Sequence, residues 1–277
     1  MDMINLTIDG QAVQVEKGST ILDAAKKLGI EIPTLCHLHM HEIGLNNQPA
    51  SCRVCVVEVE KRRNLAPACA TPVAEGMVVH TNTPKVLEER RTVLELMLSD
   101  HPKDCLTCAK AGECDLQKVS EKMGIRKIRV TGTAQSTYPL DTSVSIVRDM
   151  NKCIMCRRCE TVCNQVQTVG ALSGVNRGFE AVVSTSFQVP LAESVCTYCG
   201  QCVQVCPVGA LTSNTSAVDR LMADLADPDK VVVVNTAPAV RAALGEEFGY
   251  PAGTSVTGKM VAALRKIGFD YVFDTDF

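Results

Sequence analysis

A modular α+β chain is what this sequence predicts: several small domains in series, each arranged around a cysteine-bearing loop. Three observations predict it. Fifteen cysteines occur in 277 residues, and with His101 added they divide into four sets of four with no thiol left over. Strand and helix signals precede the first set, and a second group of them follows the last. An apolar content of 46% with only 4% aromatics suits several small cores of Val, Leu and Ala, and the length leaves room for two or more domains.

Residues 3 to 8 (MINLTI) and 12 to 15 (AVQV) read as short strands joined across Asp9-Gly10, a hairpin signal. Thr20, with Asp23 three residues on, opens an apolar-periodic helix through Ile21, Leu22, Ala25 and Leu28, closed by Gly29. The set Cys36-x15-Cys52-x2-Cys55-x13-Cys69 follows. Strand, strand, helix and cysteine loop together resemble the β-grasp fold of plant-type ferredoxins. Their spacing begins Cys-x4-Cys-x2-Cys, whereas the long first gap here matches the [2Fe-2S] domain of complex I and of [FeFe]-hydrogenases. His37, His39 and His41 crowd Cys36, and His80 stands alone. A Rieske centre places two histidines on one iron, but the second pair here, Cys52 and Cys55, is all sulfur. The loop histidines are therefore read as solvated or hydrogen-bonding groups.

Thr83 caps and Pro84 starts a helix carrying Val86, Leu87, Val93, Leu94 and Met97, which ends at Ser99-Asp100. His101 emerges at that end and opens the set His101-x3-Cys105-x2-Cys108-x5-Cys114. Without the histidine, three thiolates would hold an incomplete site. An imidazole in place of a thiolate removes one negative charge and should raise a cluster's potential. Zinc on three cysteines and one histidine is the competing reading.

Two further runs are Cys153-x2-Cys156-x2-Cys159-x3-Cys163 and Cys196-x2-Cys199-x2-Cys202-x3-Cys206, the second followed by Pro207 and every cysteine offset by 43 residues. In the bacterial two-cluster ferredoxin pattern, three cysteines of a run hold one cubane and the fourth crosses to the other. One [4Fe-4S] cluster would then take Cys153, Cys156, Cys159 and Cys206. The other would take Cys163, Cys196, Cys199 and Cys202. Zinc sites join two separated Cys-x2-Cys knuckles, and three cysteines at consecutive x2 spacing suit a cubane face better.

A [2Fe-2S] domain, a His/Cys domain and a double-cubane domain in this order resemble the N-terminal half of the large [FeFe]-hydrogenase subunit and the corresponding complex I subunit. Residues 230 to 249 (KVVVVNTAPAVRAALGEEFG) and 253 to 277 are similar to the opening of the hydrogenase catalytic domain. The chain ends at Phe277 with no cysteine after Cys206, so the further cysteine motifs that bind the hydrogenase H-cluster are missing. Val231 to Val234 reads as an apolar strand of the kind buried on both faces of a parallel sheet. Helices around Val240 to Glu247 and Val256 to Lys266 lead to a second strand, Tyr271 to Phe273. Two strands alone are seldom stable, so this lobe is expected to be buried against the cubane domain or a partner. Gly253-x4-Gly258-Lys259 fits most of a P-loop, but Met260 stands where Ser or Thr should bind magnesium; an ordinary helix start is the expectation. No Gly-x-Gly-x-x-Gly dinucleotide fingerprint is present. Arg157 and Arg158, between cubane ligands, are candidates for tuning a potential or meeting an acidic ferredoxin.

The formal charge is −3, and fifteen thiolates with four oxidised cores would bring it to about −10, which disfavours nucleic acid as a partner. No secretory signal or membrane span is evident, and the cytoplasm is the expected location. The predicted architecture is a β-grasp [2Fe-2S] domain (1–80), a small helical [4Fe-4S] domain with one His and three Cys ligands (81–140), a two-[4Fe-4S] ferredoxin-like domain (141–218) and a truncated α/β lobe (219–277). The resemblance implies an electron-transfer subunit with one [2Fe-2S] and three [4Fe-4S] clusters and no catalytic residue of its own. It would serve an electron-bifurcating oxidoreductase linking NAD(H), NADP(H) and ferredoxin. Implied partners are a flavin- and NAD(H)-binding iron-sulfur subunit, a small thioredoxin-like [2Fe-2S] subunit and ferredoxin, in a higher-order oligomer of heteromers. The alternative is a partial chain of a bifurcating [FeFe]-hydrogenase.

Overall fold

Strands β1 (Met3–Ile8) and β2 (Gln11–Glu16) form an antiparallel hairpin. It turns at Asp9 and Gly10, both with positive φ (47° and 82°), the conformation whose twist matches the flanking strands. The computed structural model describes residues 2–40, 43, 50–130, 137–213 and 217–275; His41 lies outside them. Helix α1 (Ile21–Lys27) starts with a reciprocal cap: Thr20 Oγ1 accepts from the Asp23 amide at 3.2 Å, and Asp23 Oδ2 accepts from the Thr20 amide at 2.9 Å. Its Ile21, Leu22, Ala24 and Ala25 are buried. Strands β3 (Val56–Val59), β4 (Ala66–Pro67) and β5 (Met77–His80) complete a mixed sheet of order β2-β1-β5-β3-β4, in which β1 and β5 run parallel. Leu6, Ile8, Ile21, Val57 and Val79 fill its core together with Cys55 and Cys69.

Thr83 caps α2 (Pro84–Ser99) by accepting from the Val86 amide at 3.3 Å. The buried face is not the expected apolar stripe: Val86 and Leu94 share it with Arg90 and Glu95, while Leu87 is largely exposed. Both side chains find hydrogen-bond partners in the interior, Arg90 on the Val56 carbonyl and Glu95 on two arginines. Glu95 accepts from Arg91 at 2.9 Å and from Arg129 at 2.7 Å.

After α3 (Asp115–Lys122), the cysteine runs are framed by β6 (Ile146–Arg148), α4 (Arg158–Thr161), the pair β7 (Ser173–Val175) and β8 (Val182–Ser184), α5 (Gln201–Val205) and β9 (Leu211–Ser213). β6 and β9 pair antiparallel and so bring the start and the end of this region together. A second, larger core runs from Leu35, Cys36, Cys52 and Val54 through Leu94 and Leu116 to Val182, Leu191 and Leu211. The first cysteine set thus straddles two cores.

The chain divides into two units, 1–214 and 215–277. The second contains α6 (Ala217–Leu225), β10 (Val233–Thr236), α7 (Val240–Glu247), α8 (Thr257–Ile267) and β11 (Tyr271–Asp274), with β10 and β11 parallel as a β-α crossover requires. The expectation of a strand buried on both faces is corrected: the strand begins at Val233, and Val231 and Val233 are 68% and 53% exposed. A two-stranded sheet has too few neighbours to cover both of its faces. Lys259, the P-loop candidate, contacts the Tyr250 hydroxyl and lies 4.3 Å over its ring, at an ordinary helix start. Among the described residues no helix is long and apolar enough to cross a membrane.

Candidate metal centres

The first set is gathered by the sheet. Cys55 immediately precedes β3 and its carbonyl accepts from Ala68 N at 3.1 Å, which sets Cys69 beside it; Cys36 and Cys52 come from the preceding loop. All four are buried. Hydrogen bonding from the Cys52 and Cys69 thiols holds Cys36 down at about 2, and the same contact pushes Cys52 upward. Cys69 is pushed up by Cys36 and Cys55. Thiols this close exchange hydrogen bonds and cannot all ionise without a cationic core between them. His37, expected to be solvated or hydrogen-bonding, is buried, with its ring edge-on to that of His39 at 4.8 Å. His80 Nε2 lies 3.1 Å from Glu60.

His101, Cys105, Cys108 and Cys114 line one cavity of about 720 Å³. The end of α2 delivers His101, and Cys114 stands at the N-cap of α3. His101 Nδ1 is buried without a hydrogen-bond partner. Burial pushes the imidazole pKa down, favouring the neutral form that ligates metals. Burial raises the Cys114 thiol, opposed by the amides of Gln117 and Leu116. Gly209, from the loop after the last cysteine, closes one wall: a Cβ there would come within 2.6 Å of Cys108 Sγ. Gly209→Ala should therefore cost about 1–3 kcal/mol by overpacking and deplete this centre first. Iron analysis with thermal melting checks it, and a variant with full iron and unchanged melting would show that the sulfur has room to retreat.

Cys153, Cys156, Cys159 and Cys206 line a second cavity, and Cys163, Cys196, Cys199 and Cys202 a third. The grouping is the crossed one. The 43-residue repeat is visible in the backbone. Met155 and Tyr198 have φ of 53° and 56°, and Arg157 and Gly200 have 61° and 76°. The amides of Met155 and Tyr198 donate to Cys153 Sγ and Cys196 Sγ at 3.5 and 3.4 Å. Helices α4 and α5 begin at equivalent positions. Arg157 therefore holds a left-handed conformation that its counterpart reaches as glycine at no steric cost. Burial pushes Cys156 and Cys202 up to about 12 and also raises Cys159 well above the usual thiol range. The second cavity, walled by Cys153, Cys156, Cys159 and Cys206, all raised by burial, stores a penalty that a cationic multi-iron core would relieve. Among the described residues no three His, Cys, Asp or Glu side chains close on one ion-sized point; what the chain provides is cavities with ligands on their walls, and the donor chemistry of those walls suits such cores.

The His101 loop is tied to the region of the two later cysteine runs. Asp115 N donates to Pro207 O at 2.8 Å, Arg158 pairs with Asp115 at 3.1 Å, and Lys152 pairs with Asp104 at 3.4 Å. Arg157 pairs with Glu160, donating to it at 2.9 Å. Sequence reasoning missed Arg148, which lines the second cavity, pairs with Asp141 at 3.2 Å and donates to Ser184 Oγ at 3.1 Å. It also missed Gly209. No local pattern marks either, because Arg148 reaches Ser184 and Gly209 reaches Cys108 far along the chain.

Four family models match the chain in succession: a 2Fe-2S iron-sulfur cluster binding domain over residues 1–84, the NADH-ubiquinone oxidoreductase-G iron-sulfur binding region over 90–129, the ferredoxin-like domain of NADH-quinone oxidoreductase subunit 3 over 143–212, and the C-terminal domain of the iron-only hydrogenase large subunit over 230–277. The chain is 64% identical over 277 residues to the NADP-reducing hydrogenase subunit HndD of Solidesulfovibrio fructosivorans, which is all of this chain and 47% of that relative. It is 43% identical to a G-type subunit of the NADH-quinone oxidoreductase of Rhizobium meliloti, over 83% of this chain and 26% of the relative. It is 39% identical to the NADPH-Fe(3+) oxidoreductase subunit alpha of Geobacter sulfurreducens, over 76% and 24%. The chain thus spans half or less of these relatives. Among solved structures, a chain of an NAD+-reducing [NiFe]-hydrogenase in the H2-reduced state is similar at a TM-score of 0.68 and 28% identity, covering 77% of this chain and 88% of that one.

Proposed function

Taking as premise that this chain is homologous to the iron-sulfur regions of hydrogenase subunits and of G-type NADH-quinone oxidoreductase subunits, we propose that it is an electron-transfer subunit of an NAD(P)-linked oxidoreductase. It carries one [2Fe-2S] cluster on Cys36, Cys52, Cys55 and Cys69 in a β-grasp domain. Three [4Fe-4S] clusters sit on His101 with Cys105, Cys108 and Cys114; on Cys153, Cys156, Cys159 and Cys206; and on Cys163, Cys196, Cys199 and Cys202. The observation that carries the reading is the sorting of cysteines into cavities: the four ligands of each [4Fe-4S] set wall a cavity that they share with no ligand of another set. Bound clusters would supply one-electron chemistry. The chain's own residues hold them in series, exclude water from their apolar sides and leave Cys105 and Cys199 exposed as points of electron entry and exit. The implied complex is cytoplasmic and bifurcating, and joins NAD(H), NADP(H) and ferredoxin. A flavin- and NAD(H)-binding subunit and a small thioredoxin-like [2Fe-2S] subunit complete it, in a higher-order assembly.

A second reading, in which these residues are one part of a bifurcating [FeFe]-hydrogenase subunit, is favoured by the match of 230–277 to a hydrogenase domain and by the 47% share of HndD. The mass of the polypeptide isolated from its native source separates the two. For either, anaerobically purified chain should contain about fourteen iron atoms, two from one [2Fe-2S] and twelve from three [4Fe-4S] centres. Stoichiometric zinc with little iron would sink both.

A further inference from the structure

Arg90 is, among the described residues, a buried cation with no carboxylate salt bridge. It lies in the middle of α2, 2% exposed, and its Nε and one terminal nitrogen donate to a single acceptor, the carbonyl of Val56, at 3.1 and 2.8 Å. Val56 directly follows Cys55 in the chain. Among the described residues no carboxylate forms a salt bridge with this guanidinium, in contrast to Arg148, which Asp141 neutralises at 3.2 Å. Burial pushes its pKa down, and the negative charge of Cys55, followed by that of Asp9, pushes it back up. A guanidinium does not shed its proton in a protein, and an unpaired charge in an apolar interior is costly. A hydrogen bond to one carbonyl satisfies donors but does not balance a charge. The neighbouring negative charges are Asp9 and, first, Cys55, a member of the first cysteine set whose adjoining carbonyl, that of Val56, Arg90 holds.

We propose that Arg90 is the built-in counter-ion of the first cysteine set, a positioning and tuning residue that raises the reduction potential of the [2Fe-2S] centre held there. The inference rests on the cluster assignment above. Four thiolates around a two-iron core are net negative in both redox states and more so by one electron when reduced. A fixed cation in a low-dielectric surround therefore stabilises the reduced state more than the oxidised one. The charge balance also runs in reverse: the cluster is what makes the burial of Arg90 tolerable, so helix and metal are stabilised together.

The test is a redox titration of the full chain, purified anaerobically and followed by the electron paramagnetic resonance of the reduced [2Fe-2S] centre. Arg90→Gln, which keeps a donor and removes the charge, should shift the midpoint to more negative potential. Arg90→Lys should stay near wild type at neutral pH and fall toward the glutamine value as pH rises through the lysine's pKa, whereas wild type shows no such fall. A glutamine variant with its cluster intact and its midpoint unmoved overturns the proposal. Should the glutamine variant lose its cluster, the lysine variant decides: a midpoint with the same pH response as wild type overturns it equally. Loss of the cluster from both variants would assign Arg90 to holding β3 alone and would also overturn it. A wild-type chain with no [2Fe-2S] signal would instead fault the ligand assignment on which the inference stands.

Discussion

The double variant Cys153→Ala/Cys206→Ala should retain about ten of fourteen irons, whereas Cys196→Ala/Cys206→Ala should retain about six. The first pair shares one cavity, so the second substitution removes a ligand from a centre already broken. The second pair belongs to different cavities although both cysteines come from the same run. Uncrossed ligation would reverse the two results, and the mirror pair of Cys163 with Cys196 or with Cys153 should repeat the pattern. The physical reason is the repeat. Each run turns three thiols inward around a left-handed residue and sends the fourth along the helix that follows, toward the neighbouring loop. Iron and acid-labile sulfide measured on the four double variants decide the matter.

His101→Ala should empty its cavity of about four irons, while His101→Cys should keep the cluster and lower its potential by on the order of 100 mV, because a thiolate adds the negative charge that the imidazole spares. Among the described residues Nδ1 of His101 is buried without a partner, so on the proposed assignment alanine removes the group that completes the ligand set, and cysteine supplies an anionic group in place of a neutral one. Redox titration of this centre is the measurement. If the cysteine variant titrated and absorbed like wild type, some other residue would complete the site and the histidine would be packing.

Where a signal is local in the chain, it was legible. The Asp9-Gly10 turn, the Thr20/Asp23 cap and the Thr83-Pro84 helix start each depend on a few consecutive residues, and each is found in place. The cysteine spacings are legible for the same reason: a cubane's geometry fixes short intervals, and Pro207 marks the end of the second run. Less legible is what depends on a partner far along the chain. Arg90 at the centre of an amphipathic helix reads as a solvent-facing charge until Val56, 34 residues earlier, is placed beside it. Glu95 and Arg129 escape notice in the same way. Gly209 resembles any loop glycine until Cys108 is set against it. Val231 to Val234 failed in the opposite sense: an apolar run reports the surroundings a strand is suited to, and β10 has only β11 for a neighbour.

The first cysteine set has two sulfurs in each of two apolar cores: Cys36 and Cys52 in the larger, Cys55 and Cys69 in the sheet's own. A metal centre bonded to all four would be a covalent stitch between cores that also meet through side-chain packing, the bond from Arg90 to β3 and the Lys122–Glu31 ion pair. With the stitch in place, melting either core must break metal bonds, so the two share one cooperative transition. Without it, each is left with its own small stability. On the proposed assignment, iron supply would therefore set how large a piece of this polypeptide unfolds at a time, and a protease would meet a looser chain once the two iron atoms were lost.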